Sequence, residues 1–383
     1  MSENLYLKVK EIYLKDRIEK DKVIEIENGK IKAFLDEVPK GQRFMDYSEF
    51  IAAPGYVDTH IHGHGGFDIM DGKKESVFEI SKGVLETGVT TFLATTLTAS
   101  QETLDTTCKI VGEVYKDVEG AKIAGIFLEG PFFTEKHKGA QNPEYMSAPS
   151  FDKLKKWYQL SNGIVKKIAI APELEGAEEF VKKAKDLGVY VALGHSDATY
   201  EEAYNAVMAG ASIFVHVYNG MSPLHHRRPG MVGAALSLKD VFAELICDGH
   251  HVHPAAANVV MKARGKEEVV LITDCMMAGG MPEGEYKLGE FDVHVENGTA
   301  RLDDGSLAGS VLRLEDAVKN VIKWGIATPF EAVQMASQIP AKSVGISDEA
   351  GVLDIGRYAD INIIDDSAEV IATYLNGELR VSR

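Results

Sequence analysis

The chain has 383 residues, 45% of them hydrophobic and 26% charged, and a formal net charge of −17. That composition is ordinary for a globular protein and long enough for two domains or one large α/β barrel with an appendage, which excludes a small module or a disordered regulator. The acidic balance, with no long basic run, excludes a nucleic-acid-binding face, because phosphate backbones demand concentrated Lys and Arg.

The chain begins Met1-Ser2-Glu3-Asn4, without a basic region followed by an apolar stretch, and no apolar run reaches the 18 residues of a membrane span. Three scattered cysteines, Cys108, Cys247 and Cys275, suit a reducing compartment. The expectation is a cytoplasmic protein without membrane association. The first fifty residues alternate at period two. Val23-Ile24-Glu25-Ile26-Glu27, then Asn28-Gly29, then Lys30-Ile31-Lys32-Ala33-Phe34 predict a hairpin.

From residue 52 to about 350, short apolar runs alternate with amphipathic stretches. Eight runs occur, at 55–62, 89–95, 123–129, 168–173, 189–195, 213–218, 242–248 and 269–274. Helical patterns at 74–87, 102–115, 177–187, 201–209 and 254–264 lie between them, several closed by a glycine such as Gly88, Gly188 or Gly210. Eight strand-helix alternations predict a (β/α)8 TIM barrel over 54–350. A long loop at 130–149 and a strand-like insert at 291–302, turning at Asn297-Gly298, interrupt the pattern. The last thirty residues return to strand patterning with a second Asn-Gly turn at 376–377. Residues 1–53 and 351–383 together predict a small β-sandwich domain.

Six of the eight runs end in His, Glu or Asp, at the strand ends that form the active face of such a barrel. His60-Ile61-His62 places two imidazoles on one strand face, where they can converge on a divalent metal. Glu129, His195 and His216 each end or interrupt a buried run. Taken singly they read as a salt bridge, a hydrogen-bonding histidine and a core histidine; taken together they read better as a metal site. Asp274 is the candidate general base, with metal ligation or a helix N-cap as its alternatives. Asp248-Gly249-His250-His251 offers an imidazole to polarise a carbonyl, and both histidines remain open. His225-His226-Arg227-Arg228-Pro229-Gly230 is the densest cationic segment, suited to phosphate or carboxylate and equally to a solvated loop, and Asn219-Gly220 can add amide donors to the same anion. His137 and His294 read as surface residues, while His64 and His253 stay open.

The stretches Pro54-Gly55-Tyr56-Val57-Asp58-Thr59-His60-Ile61-His62-Gly63, Leu128-Glu129-Gly130-Pro131-Phe132, Lys138-Gly139-Ala140-Gln141-Asn142-Pro143, Gly194-His195-Ser196, His216-Val217-Tyr218-Asn219, Arg227-Arg228-Pro229-Gly230, Asp248-Gly249-His250-His251-Val252, Thr273-Asp274 and Leu307-Ala308-Gly309-Ser310 run in family order. In them the chain resembles the amidohydrolase superfamily and, more closely, its N-acetylglucosamine-6-phosphate deacetylases. The resemblance implies hydrolysis of the N-acetylated sugar phosphate to D-glucosamine 6-phosphate and acetate. It also implies one or two divalent ions per subunit, drawn from Zn, Fe, Co or Mn. It assigns metal ligation to Glu129, His195 and His216, acid/base catalysis to Asp274 and carbonyl polarisation to His251. Substrate contacts fall on Ala140, Gln141, Asn219, Gly220, Asp248, His251, Leu307, Ala308 and Gly309, with His226 and Arg227 serving the neighbouring site of a homodimer. His60 and His62, absent from some members, allow a second ion. Many superfamily members use a carboxylated lysine where this chain has Glu129. A cyclic amidase or N-acyl-amino-acid deacylase would share the metal residues without needing the Arg-rich loop, and a non-catalytic scaffold would have lost ligands or base.

Overall fold

The computed structural model describes residues 4–383. Residues 1–3, on which part of the leaderless reading rests, lie outside it. Eight strands form one parallel sheet in chain order: β1 (Tyr56–Ile61), β2 (Val89–Thr96), β3 (Lys122–Phe132), β4 (Val165–Ile170), β5 (Tyr190–Leu193), β6 (Ile213–Phe214), β7 (Phe242–Ile246) and β8 (Val269–Ile272). Just past β8 the sheet closes on β1. The Asp274 amide donates to the His60 carbonyl at 2.9 Å, and Cys275 bridges Ile61 in parallel. Eight helices alternate with the strands, α1 (Lys74–Leu85), α2 (Gln101–Val114), α3 (Phe151–Leu160), α4 (Ala177–Asp186), α5 (Tyr200–Ala209), α6 (Gly230–Ser237), α7 (Pro254–Arg264) and α8 (Leu314–Lys323). This is the predicted barrel.

The strands read as unbroken apolar runs because both faces are covered. Val57, Leu93, Phe127, Ala169, Ala192 and Ile213 fill the interior, while outward residues pack against stripes such as Val77, Ile80 and Val84 on α1. At the end of α4, Gly188 reaches a φ of 84°, which reverses the chain into β5 without a Cβ clash. The fourth strand ends at Ile170 rather than at Glu173, because Pro172 has no amide to donate to the ladder.

The chain ends meet in a seven-stranded sheet, in the order Glu378–Ser382, Val370–Leu375, Ile361–Ile364, Met45–Pro54, Leu5–Tyr13, Ile18–Glu27 and Lys30–Leu35. It wraps one apolar cluster to which Leu7, Val9, Ile24 and Ile26 contribute from one terminus and Ile361, Ile363 and Tyr374 from the other. Asn28-Gly29 and Asn376-Gly377 adopt the paired left-handed conformation of a tight hairpin: φ is 53° then 76° in the first and 51° then 76° in the second. The predicted insert is a three-stranded sheet (Gly284–Leu288, Phe291–Glu296, Thr299–Arg301) between β8 and α8. Its Leu288, Val293 and Ala300 pack with Leu97, Met276 and Ala308 beside the barrel mouth. Cys108, Cys247 and Cys275 are buried and unpaired. Among the described residues no helix is long and apolar enough to cross a membrane.

Candidate active site

β1 carries His60 and, one residue past its end, His62. β3 carries Glu129, and His195, His216 and Asp274 follow the ends of β5, β6 and β8, so all six meet at the carboxyl-terminal mouth of the barrel. All six are buried. His195, His216 and Asp274 have φ of 45°, 29° and 50°. Side-chain-bearing residues rarely adopt that region, and the strain is held where the chain turns each side chain into the mouth.

Glu129 is the hub. Its Oε1 lies 3.3 Å from His195 Nε2, 3.2 Å from His216 Nε2 and 3.4 Å from His60 Nε2, and its Oε2 lies 3.4 Å from His62 Nε2. Asp274 Oδ1 stands 3.4 Å from His60 Nε2 and 3.1 Å from His62 Nε2. On two of these rings the other nitrogen is already engaged. His195 Nδ1 donates to the His137 carbonyl at 3.0 Å and His216 Nδ1 to the Asn219 carbonyl at 3.1 Å. A carbonyl only accepts, so each Nδ1 carries the proton and each Nε2 presents a lone pair. Those two Nε2 atoms are 3.2 Å apart and face a carboxylate, with no donor to separate them.

Such an arrangement suits a cation. Ligand atoms about 2.0–2.1 Å from a tetrahedral Zn-type ion stand about 3.3–3.4 Å from one another. Glu129, His195 and His216 form one donor set with that spacing, and His60, His62 and Asp274 form a second beside it. The electrostatics agree. Burial disfavours charge on His60 and His62, yet Asp274 and Glu129 outweigh it and push the two imidazoles up to about 9 and about 10, so the carboxylates already draw positive charge to this spot, as protons that a divalent ion would displace. Burial likewise opposes the ionised form of Glu129, but His60, His195 and His216 hold its carboxyl well below the usual range. For His216 burial wins and keeps the ring neutral, as a ligand must be.

The mouth opens into a pocket of about 260 Å³. His62, Glu129, His195, His216, Asp274 and His251 line it, as do the expected contacts Ala140, Gln141, Asn219, Gly220, Leu307 and Gly309. Of the two adjacent histidines only His251 faces the pocket. Both backbone amides bond Asp248 Oδ1 at 2.8 Å, but the His251 ring alone folds back, its Nδ1 2.6 Å from Asp248 Oδ2, while His250 is exposed.

Six expected residues lie outside this pocket or act otherwise. Asp248 lies behind His251 and does not line the pocket, because its carboxylate is spent on that ring and the turn. Ala308 is fully buried in a cluster with Met276 and Leu288 and does not line the pocket, unlike the neighbouring Leu307 and Gly309. Arg227 lines a different cavity of about 410 Å³ with Arg228 and Lys136, and its guanidinium donates to Nε2 of exposed His226 at 2.7 Å. Gln141 lines the pocket but gives both amide atoms to the protein, Nε2 to Glu129 Oε2 at 2.7 Å and Oε1 to the Thr98 amide at 2.8 Å. It thereby fixes Glu129. His60, fully buried, reaches the donor cluster without lining the pocket.

Leu97, Gly139, Leu288 and Ser306 complete the wall and were not expected. Lys167 and Glu244, fully buried beside His60, were also missed; a charge in the middle of Phe242-Ala243-Glu244-Leu245-Ile246 is the signal that marks one of them. His294 is on the surface as expected, and His253 caps α7 by accepting from the Ala255 amide at 3.1 Å.

Residues 51–380 match the Amidohydrolase family. The chain is 41% identical to the N-acetylglucosamine-6-phosphate deacetylase of Vibrio furnissii, covering 94% of this chain and 91% of that one. It is 38% identical to the N-acetylgalactosamine-6-phosphate deacetylase of Escherichia coli O157:H7, covering 94% of each. Among solved structures it is similar to the Mycobacterium smegmatis N-acetyl-D-glucosamine-6-phosphate deacetylase, an aspartate-to-alanine mutant in complex with N-acetyl-D-glucosamine-6-phosphate. There the TM-score is 0.91 at 30% identity, over 98% of this chain and 99% of that one. A donor-lined barrel mouth and full-length similarity of this kind lead to one conclusion: this chain belongs to the amidohydrolase family, in its N-acetylglucosamine-6-phosphate deacetylase branch.

Proposed function

We propose that the chain hydrolyses the acetamide of N-acetylglucosamine 6-phosphate, giving glucosamine 6-phosphate and acetate. The observation that carries this reading is the convergence of two donor sets on Glu129 in a pocket that also holds Asp274 and His251. The relatives' activity and the sugar phosphate bound to the Mycobacterium smegmatis enzyme support it. The barrel, 54–350, is the catalytic domain, and 1–53 with 351–383 form the β-sandwich domain. A phosphorylated sugar substrate agrees with a cytoplasmic site of action.

Glu129, His195 and His216 would hold one divalent ion, and His60, His62 and Asp274 would hold a second. A divalent ion at these donors acts as a Lewis acid and brings the pKa of a water molecule towards neutrality. Asp274 takes the proton from the attacking water and delivers it to the amide nitrogen as the C–N bond breaks. Burial opposes ionisation of Asp274, but the positive charge at His60 and His62, or an ion in its place, holds its carboxyl below the usual range and so keeps it ionised. His251, oriented by Asp248, polarises the acetyl carbonyl. Gln141 keeps Glu129 in place.

Among the described residues, no Lys or Arg lines this pocket, yet the substrate's phosphate is a dianion and the chain is acidic. Arg227 lies outside its own subunit's pocket. We therefore place the phosphate against Arg227, with His226, of a partner subunit in a homodimer. The Escherichia coli relative favours a second reading, the C4-epimeric N-acetylgalactosamine 6-phosphate as substrate. Initial rates on both 6-phosphates and on free N-acetylglucosamine decide between them. The expected order puts N-acetylglucosamine 6-phosphate first and the free sugar far behind. A metal-loaded protein that releases acetate from neither 6-phosphate overturns the reading.

A further inference from the structure

Beside the metal donors the barrel interior holds a charged pair where apolar residues normally fill the space. Lys167 on β4 and Glu244 on β7 are both fully buried and in direct contact. Every polar atom of the two side chains has a partner. The Lys167 ammonium also donates to the Thr59 carbonyl at 3.0 Å and sits 3.6 Å over the Phe127 ring. Glu244 Oε1 accepts from Lys167 and from the Thr59 hydroxyl at 3.4 Å, and Oε2 faces His60 Nδ1 at 3.3 Å. Phe127 meets His60 edge to face, with centroids 4.9 Å apart. The lysine, glutamate and phenylalanine are thus linked around one imidazole, whose Nε2 has no hydrogen-bond partner among the described residues and lies 3.4 Å from both Glu129 and Asp274.

We propose that Lys167 and Glu244 are positioning residues for His60. Glu244 takes the hydrogen bond from the Nδ1 proton, which leaves the Nε2 lone pair for the second divalent ion, and Lys167 balances and locates the Glu244 carboxylate. The proposal rests on the two-ion reading given above. It assigns a task to a buried ion pair that is otherwise expensive, since an apolar pair of similar volume would fill the same space without desolvating two charges. Partners of this kind fix the tautomer of a ligating histidine, and losing one costs about 10–100-fold in metal affinity. His62 has no such support, because among the described residues its Nδ1 lacks a partner. Occupancy of the second position therefore depends on the pair through His60.

Two double variants test this without leaving an unpaired buried charge. Lys167→Met with Glu244→Gln keeps an acceptor for His60 Nδ1, whereas Lys167→Met with Glu244→Leu removes it. Zn²⁺ affinity is read by chelator competition, and the tautomer of His60 by ¹⁵N chemical shifts of its ring. The first ion, at Glu129, His195 and His216, should bind both variants as it binds the wild type. The second should bind the double variant carrying Glu244→Leu about 10–100-fold more weakly than the one carrying Glu244→Gln, with His60 losing its Nδ1-protonated form only in the former. Equal second-ion affinities and equal His60 shifts in two folded variants would overturn the proposal while leaving the two-ion reading intact. A wild type that takes up a single equivalent overturns the two-ion reading instead, and loss of the His60 tautomer confined to the Glu244→Leu protein then still supports the positioning role.

Discussion

Gln141 separates two accounts of the same residue, a contact to the sugar or a clamp on Glu129. Its carboxamide spans from Glu129 Oε2 at 2.7 Å to the Thr98 amide at 2.8 Å, and the side chain is buried. Gln141→Leu removes both bonds. The bond to the carboxylate is charge-assisted and worth about 1.5–3 kcal/mol, and the orphaned Thr98 amide costs about 1–3 kcal/mol more. The two share a neighbourhood, so a combined loss of about 2–5 kcal/mol in stability follows. Freed to rotate, Glu129 should lose about 10–100-fold in metal affinity. Gln141→Glu isolates the Glu129 arm, because a carboxylate still accepts from Thr98 but opposes Glu129 with like charge. It should disturb Glu129 at least as much as Gln141→Leu, and the buried like-charge pair should destabilise the apo fold at least as much. Chelator competition gives the affinity, and denaturant melts of the apo proteins give the stability. If both variants bind metal like the wild type and only KM rises, Gln141 is a substrate contact and the clamp is wrong.

Asp248→Asn replaces the anion behind His251 and should lower kcat about 10–100-fold with metal content unchanged, as steady-state rates and metal analysis will show. Asp274→Asn should lower kcat by about 10²–10⁴-fold or more while the variant still binds the phosphorylated sugar in a calorimetric titration. Arg227→Ala should raise KM for the 6-phosphate about 10- to 150-fold, the value of a charge-assisted hydrogen bond, and barely change the rate on free N-acetylglucosamine. Mixing Arg227→Ala with Asp274→Asn subunits should then regenerate activity above the parents' sum if the contact crosses a dimer interface. Arg264 is a stability control, because its buried guanidinium donates to the carbonyls of Ala235, Leu238 and Val241 and pairs with Glu268 at 2.6 Å. Arg264→Met should cost about 3–5 kcal/mol in a urea melt, with normal turnover per folded molecule.

The barrel was legible because buried parallel strands need apolar residues on both faces, so each strand stands out as an unbroken run. The candidate donors that meet at the barrel mouth were legible for a related reason: a His or Glu that ends such a run stands out against its apolar neighbours. What escaped the sequence depends on contacts between distant strands. Lys167 and Glu244 are 77 residues apart, and Lys167 follows Lys166, so it reads as solvated until the alternation of β4 turns it inward. The Asp248 carboxylate marks the site but not its layer, since only the fold of the turn shows it behind His251 rather than against the substrate. Leu97 and Leu288 look like any core residues, and they reach the pocket because the insert packs against the mouth.

The most direct test of the central claim is hydrolysis of N-acetylglucosamine 6-phosphate in ¹⁸O-water by the wild type and by Glu129→Gln, each analysed for bound metal. The account predicts that the wild type releases acetate and free amine in equal amounts, with one ¹⁸O in the acetate, and that Glu129→Gln loses metal and turnover together. Full turnover by a metal-depleted Glu129→Gln protein, or amine released without labelled acetate, would contradict it.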